Sequence, residues 1–348
     1  MEYIKSVKVS TPRLLSCKQN FTGIIAVSLV IIFIFTYVSL SKAQPGTVWD
    51  NTSDKNWPPS AYIAHVKSTT DETLQPVYCF SPKSTEQRPL IISLHTWSGD
   101  FKQKDRVIDL CIQKDFNYIH PHFRGPNTRP QAGGSDFVIQ DIDDAIDWAL
   151  TNMNVDSTNI HIIGVSGGAH ATLIAYMKSK HTIKTFNAYA GIYNLVDWYY
   201  ESLGRNNTYA KHIVSITSGI NDTPNFEEAR KRSPFFMHTP TTQRITSTLN
   251  LYCGLHDGYT GSVPISQTLE LYNKIVKDFD SREQLSLIPL SHIYTLLKRR
   301  QLDGRFNEKR KFQGRKIHYE RSFKNKVNVL VFEGGHEMPE RDSLQFIE

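Results

Sequence analysis

A chain of 348 residues, 39% hydrophobic and 21% charged, has the make-up of a globular protein, large enough for one sizeable domain or two small ones, so disorder is not the default reading. The net charge of +6 is modest for this length and accompanies no recognition motif, so nucleic acid is not an expected partner. Four cysteines are too few for a disulfide scaffold and lack the spacing of a metal site.

Residues 1–22 contain Lys5, Lys8, Arg13 and Lys18, and residues 23–40 that follow hold no charge and are long enough to cross a bilayer. Positive charge before an apolar run marks the leading side as cytoplasmic. Ser41-Lys42-Ala43 then sets small residues at the two positions a signal peptidase reads, so 23–43 is either a cleaved signal peptide or a retained membrane anchor. Both readings export the remainder, as a secreted, periplasmic or anchored protein. Contact with a membrane is expected only through residues 23–40. The aperiodic, Pro- and Asn-rich stretch 44–59 reads as a linker, and residues 60–348 as the catalytic domain. Of the cysteines beyond the apolar segment, Cys79 and Cys253 sit in apolar stretches where a free thiol packs as a small hydrophobe. Spacing alone leaves a single bridge among Cys79, Cys111 and Cys253 open.

Within the domain, short apolar runs alternate with amphipathic stretches. "PLIISLHTW" is followed by a helix near 104–114, then "FNYIHPHF", a helix over 135–152, and "IHIIGVS". Such alternation predicts an α/β domain with a mostly parallel central sheet flanked by helices. In the second helix Ile142, Ala145, Ile146 and Ala149 form the apolar stripe, with Asp141, Asp143, Asp144 and Asp147 on the other faces. The β-branched run Ile160, Ile162, Ile163 and Val165 is apolar on both faces, as in a central strand buried between two helix layers. Residues 192–246, rich in aromatics, read as a helical insertion over the site. Residues 298–326 are strongly basic and read as a solvated face, the alternative being a surface for an anionic polymer or lipid head groups.

The chemistry centres on Gly164-Val165-Ser166-Gly167-Gly168, a G-x-S-x-G pattern in which a strained strand-to-helix turn presents the serine outward. A serine needs a base to take its proton, and the base needs a carboxylate to hold its tautomer. Asp257 follows the apolar run "LNLYCG", and His336 follows "VNVLVF". Three residues of the required types therefore occur in the order Ser, Asp, His, each just after the carboxyl end of a predicted strand. Parallel strands would bring those ends to one edge. Each residue alone has a blander reading, a tight-turn serine, an Asp-Gly turn former or a loop-capping histidine; the joint arrangement makes Ser166, Asp257 and His336 the candidate catalytic residues. His256 would break the order, while His292 and His318 follow no predicted strand. "HEMPE" lacks the second histidine of a zinc-protease motif, and no metal or cofactor is expected. The candidate oxyanion donors are the backbone N–H groups of Gly167 and of Trp97, with Thr96 the alternative to Trp97. Trp97 also reads as a wall of the substrate pocket, and Trp97, Trp198 and Tyr199 are compatible with stacking on sugars.

The motifs "LHTWSG", "HPHFRGPN", "DIDDAIDW", "GVSGGAH", "RSPF", "GLHDGYTGSVPIS" and "FEGGHE", spread over residues 85–340, resemble the prolyl-oligopeptidase-like branch of the α/β-hydrolases. The resemblance implies that fold, and Ser166, Asp257 and His336 as nucleophile, acid and base. Arg124 and Gly125 look like a structural loop beside the site. Large peptidases of that branch carry an amino-terminal β-propeller, whereas only residues 60–94 separate the linker from "HTWSGD"; the chain looks more like the family's single-domain esterases, including those acting on acylated carbohydrates. The expectation is an exported carboxylesterase whose substrate is a small-molecule or oligosaccharide ester. A serine peptidase acting on short peptides is the alternative, and a non-catalytic hydrolase-fold binding protein the third reading.

Overall fold

In the computed structural model, residues 57–302, 310–339 and 343–347 are described. The n-region 1–22, the apolar segment 23–43 and the linker up to residue 56 lie outside them, as do Arg305 and Lys309 of the basic stretch. Among the described residues no helix is long and apolar enough to cross a membrane.

The strands are β1 (Tyr62–Lys67), β2 (Leu74–Phe80), β3 (Arg88–Leu94), β4 (Asn117–Pro121), β5 (Val155–Val165), β6 (Thr185–Tyr189), β7 (Thr248–Gly254), β8 (Lys311–Phe312), β9 (Arg315–Phe323) and β10 (Val327–Phe332). They form a ten-stranded sheet in the order β1-β2-β4-β3-β5-β6-β7-β10-β9-β8. The run from β4 to β10 is parallel, with antiparallel strands at both margins. This is the expected α/β-hydrolase fold, a mostly parallel sheet between helices.

Alternate strand residues feed the two faces. Leu90, Ile92, Ile160 and Ile162 join one core with α2 (Asp136–Asn152), α3 (Gly167–Lys178) and α7 (Ser266–Phe279). Ile91, Ile163 and Val165 join the other with α1 (Val107–Lys114) and with Met338, Leu344 and Ile347. A period of two with both faces apolar is what burial between two layers requires.

Several expectations need adjustment. Three of the aspartates beside the apolar stripe of α2 are buried anchors: Asp141 takes Arg124 Nε at 2.5 Å and Nη2 at 2.9 Å, Asp143 accepts from Ser179 Oγ at 2.6 Å, and Asp144 accepts from Thr69 N at 2.7 Å. Arg124 also reaches Asp71 Oδ2 at 2.6 Å, so it ties the β1–β2 turn to α2. Trp57, assigned to the linker by composition, stacks on Tyr78 with centroids 3.9 Å apart, so packing begins before residue 60. The basic stretch contains the β8–β9 hairpin, and His318 lies within β9. There Phe312, Ile317, Tyr319 and Phe323 are buried while their charged neighbours face outward, Arg310 pairing with Glu320 and Arg315 with Glu337. Cys79, Cys111 and Cys253 are all free and buried.

Candidate active site

Parallel register brings the strand ends into line. Val165 lies opposite Tyr189, which lies opposite Tyr252, and Phe332 lies opposite Gly254. Ser166, the loop bearing Asp257 and the loop bearing His336 therefore leave the sheet at one edge, where ligands bind in open α/β sheets.

Ser166 has φ 57° and ψ −118°, a left-handed conformation that costs a non-glycine residue of order 1–3 kcal/mol. The surroundings hold it there: its N–H donates to Tyr189 O at 2.9 Å, and its carbonyl accepts from His170 N at 3.0 Å. The flanking glycines allow the turn to sit this deep. A methyl at Gly164 would strike the Gly168 backbone, one at Gly168 would strike Leu94 O, and one at Gly167 would strike Trp97 N. Those collisions explain "GVSGG" as three backbones in direct contact.

Asp257 is 1% exposed. Its Oδ1 accepts from Gly258 N at 2.8 Å and Val263 N at 3.1 Å, leaving Oδ2 for His336 Nδ1 at 2.8 Å. A carboxylate so fixed orients the imidazole and sets the tautomer that leaves Nε2 as proton acceptor. The two loops interlock through backbone, with His256 N on Gly334 O at 2.9 Å, and a methyl at Gly261 would strike both Asp257 Oδ1 and His336 Cβ. Glu333 adds a second tie, receiving His256 Nε2 at 2.7 Å and His318 Nε2 at 2.6 Å. Burial disfavours the Glu333 carboxylate, but the bonds from His256 and His318 outweigh it and hold its pKa below the usual range.

The two candidate N–H donors separate on hydrogen-bond accounting. Thr96 N is consumed by Gln103 Oε1 at 2.7 Å, and Gln103 Nε2 donates to Thr96 Oγ1 at 3.0 Å. Trp97 N and Gly167 N have no acceptor among the described residues, and the backbone at Trp97 packs where a Gly167 side chain would sit. Of Trp97 and Thr96, only Trp97 retains a free backbone donor, and Gln103, which the sequence reading passed over, is what engages the other. No sequence signal marks Gln103, because its partner is set by the loop's path. The Trp97 side chain is buried, as are those of Trp198 and Tyr199, so none of the three is an exposed platform for a sugar. Tyr259, two residues after Asp257, is 76% exposed.

The predicted insertion is helical: α4 (Leu195–Gly204), α5 (Tyr209–Ile216), α6 (Phe226–Lys231) and a 3-10 turn at Pro234–Phe236. Asn194 and Asn225 cap α4 and α6 by accepting from the next backbone N–H groups. Beneath the elbow, Asp105 accepts from Ser93 Oγ, Tyr118 OH and Val107 N, and burial pushes its pKa up to about 6. Burial pushes the nearby His95 and His120 down to about 4, so both are neutral near pH 7. Among the described residues no group of three His, Cys, Asp or Glu side chains could hold a metal ion.

Comparison with known proteins bears on this geometry. The model of the prolyl oligopeptidase family, Peptidase_S9, matches residues 104–289, more than half of the chain. Among solved structures, an acylaminoacyl peptidase in complex with Z-Gly-Gly-Phe-chloromethyl ketone is 18% identical, with a TM-score of 0.53 over 82% of this chain and 38% of that one. The uncomplexed acylaminoacyl peptidase of Pyrococcus horikoshii is 21% identical, with a TM-score of 0.50 over 63% and 35%. The Pyrococcus furiosus esterase Pf2001 is 13% identical, with a TM-score of 0.46 over 83% and 88%. This chain spans little more than a third of the length of the two peptidases. Among curated proteins nothing matches.

Proposed function

The chain belongs to the prolyl oligopeptidase family and is a serine hydrolase, and from that premise we propose that it hydrolyses carboxylic esters, acylated carbohydrates among them, through an acyl-enzyme on Ser166. The observation that carries the proposal is the Asp257 Oδ2 to His336 Nδ1 bond of 2.8 Å at the sheet edge from which the Ser166 elbow also leaves. In this mechanism Ser166 Oγ attacks the acyl carbon while His336 Nε2 takes its proton. Asp257 stabilises the imidazolium, and the N–H groups of Gly167 and Trp97 receive the developing oxyanion. His336 returns the proton to the departing alkoxide. Water, activated by the same imidazole, then releases the acid and frees Ser166.

What supports the ester reading is that nucleophile, oriented base and two unengaged N–H donors are all an activated ester needs. A peptide amide adds a poorer leaving group, and recognition of a peptide amino end adds a counter-charge. The peptidase reading is favoured by the family match and by the peptidases among the structural relatives, whose likeness extends to the fold. Turnover of p-nitrophenyl acetate, a panel of acetylated saccharides and Gly-Pro and Ala-Pro p-nitroanilides separates the two. Ester turnover that exceeds peptide turnover, and falls roughly 10³-fold or more in Ser166→Ala, is the expected result. An unchanged rate in that variant removes the mechanism, and faster cleavage of the proline peptides makes the chain a peptidase.

We further propose that the catalytic domain works outside the cytoplasm, supported by the uncharged residues 23–40 behind Lys5, Lys8, Arg13 and Lys18. Cell fractionation with amino-terminal sequencing tests this: a chain beginning at Gln44 is the cleaved form, and one retained in membranes the anchored form. Recovery of the full-length chain in the cytosol overturns export.

A further inference from the structure

The insertion has a hydrophobic cluster of its own, built from Ile192, Leu195, Trp198, Tyr199, Ala210 and Ile213, and two of its members come from elsewhere in the chain: Trp97 and Val263. Trp97 belongs to the loop after β3, the source of the proposed second oxyanion donor. Val263 closes the loop after β7, and its N–H is one of the bonds that hold Asp257 Oδ1. One side chain touches both loops. Trp198, on α4 and 1% exposed, meets the Trp97 ring edge-to-face with centroids 4.8 Å apart, and its Nε1 donates to Ser262 O at 2.9 Å. Its other face stacks on Tyr209 of α5 at 4.9 Å. Just past the end of α4, the exposed Arg205 repeats the link to the same loop, with Nη2 on Gly258 O at 2.9 Å and Nη1 on Ser262 O at 3.3 Å.

We propose that Trp198 is a positioning residue for acyl transfer: its indole locks the oxyanion loop to the acid loop, so that α4–α6 is a fixed part of the catalytic frame, not a lid that opens for substrate. The inference rests on the roles proposed for Ser166, Asp257 and Trp97. Its physical basis is that these loops leave β3 and β7, which are separated in the sheet by β5 and β6. Ladder hydrogen bonds set the register of the strands but not the paths of the loops beyond them. An indole supplies what that gap requires, a large flat body to pack on one loop and a single directional donor for the other. A buried Nε1 without its acceptor would also carry a desolvation cost, so the bond to Ser262 O is enforced from both sides.

Trp198→Phe keeps a ring against Trp97 and Tyr209 and removes the donor. With p-nitrophenyl acetate, kcat falls roughly tenfold to a hundredfold, the scale of a misplacement of about an ångström, while KM stays within about twofold. The acidic limb of the kcat profile moves to lower pH, because a loosened Asp257 stabilises the His336 imidazolium less. Arg205→Ala, at the surface and compatible with folding, moves that limb in the same direction by less. Unchanged kcat and an unmoved limb in the folded Trp198→Phe overturn the proposal, as does a raised KM at unchanged kcat, which would make Trp198 part of the substrate wall. If Trp198→Phe does not fold, a wild-type profile in Arg205→Ala overturns it. Failure of the underlying reading looks different: the wild-type protein itself then neither turns over esters nor takes a fluorophosphonate on Ser166.

Discussion

The sheet edge and the insertion reach the same place by opposite means. At the edge, backbone meets backbone: Gly164 against Gly168, Gly168 against Leu94, Gly167 against Trp97, and Gly254 against the Gly334-Gly335 turn. In the insertion, side chain meets side chain, with Trp97, Trp198 and Tyr209 packed in series and Tyr199, Tyr200 and Phe226 beside them. Contact between backbones leaves no room for a Cβ, so geometry there is specified by the absence of side chains and tolerates no additions. Contact between large rings leaves room to repack, so geometry there depends on the few rings that also make a directional bond.

If that difference is right, adding one methyl at the edge does more harm than removing a whole ring from the roof. Gly167→Ala drives a methyl into Trp97 N and the adjoining backbone, none of which is a flexible side-chain end. Overpacking of this kind costs about 1–3 kcal/mol, and the displaced Trp97 N–H takes most of the hydrolase activity with it. Thermal melts and kcat on the same preparation check both; a variant with wild-type rates breaks the comparison and the oxyanion assignment together.

Asp105 probes the edge from underneath, by pH. Its folded pKa of about 6 lies above the unfolded value, so the native state keeps a proton that the unfolded chain releases. The stability this contributes is full below the unfolded carboxylate range near pH 4 and is lost as pH rises through about 6. Asp105→Asn removes that loss, so the Tm of the variant relative to wild type rises between pH 4.5 and pH 7.5. An equal difference at both pH values means that Asp105 ionises normally. The smallest effect is expected in the roof, where Phe226 is half-buried and stacks on Tyr200 at 5.8 Å. Phe226→Leu is expected to cost less than about 1.5 kcal/mol in a denaturant titration and to leave kcat unchanged. A large loss of activity there shows the roof to be as intolerant as the edge.

How much of this was legible beforehand follows from the range of each interaction. The three site candidates are readable because each signal is local, an apolar run ending in a loop with the required residue type. The helical character of the insertion was readable from its many aromatics and its lack of a strand period. The β8–β9 hairpin was not, although Ile317, Tyr319 and Phe323 fall on the strand period; the density of Lys and Arg around them masks the alternation. The anchoring role of Asp141, Asp143 and Asp144 was not legible either, because the partners that meet them, Arg124, Ser179 and Thr69, come from outside the helix.

By itself, then, the sequence determined the α/β alternation, the family motifs and the identities of Ser166, Asp257 and His336 as candidates, because these depend on the order and period of neighbouring residues. Tertiary structure alone decided that Trp97 N, and not Thr96 N, is left unengaged, that Trp97 and Trp198 are buried in packing, and that Trp198 joins two loops from strands not adjacent in the sheet. Those outcomes hang on Gln103 reaching back seven residues and on an indole reaching Ser262 across sixty-four. Contacts at such separations are set by where the folded backbone runs, which no local pattern of residue types encodes.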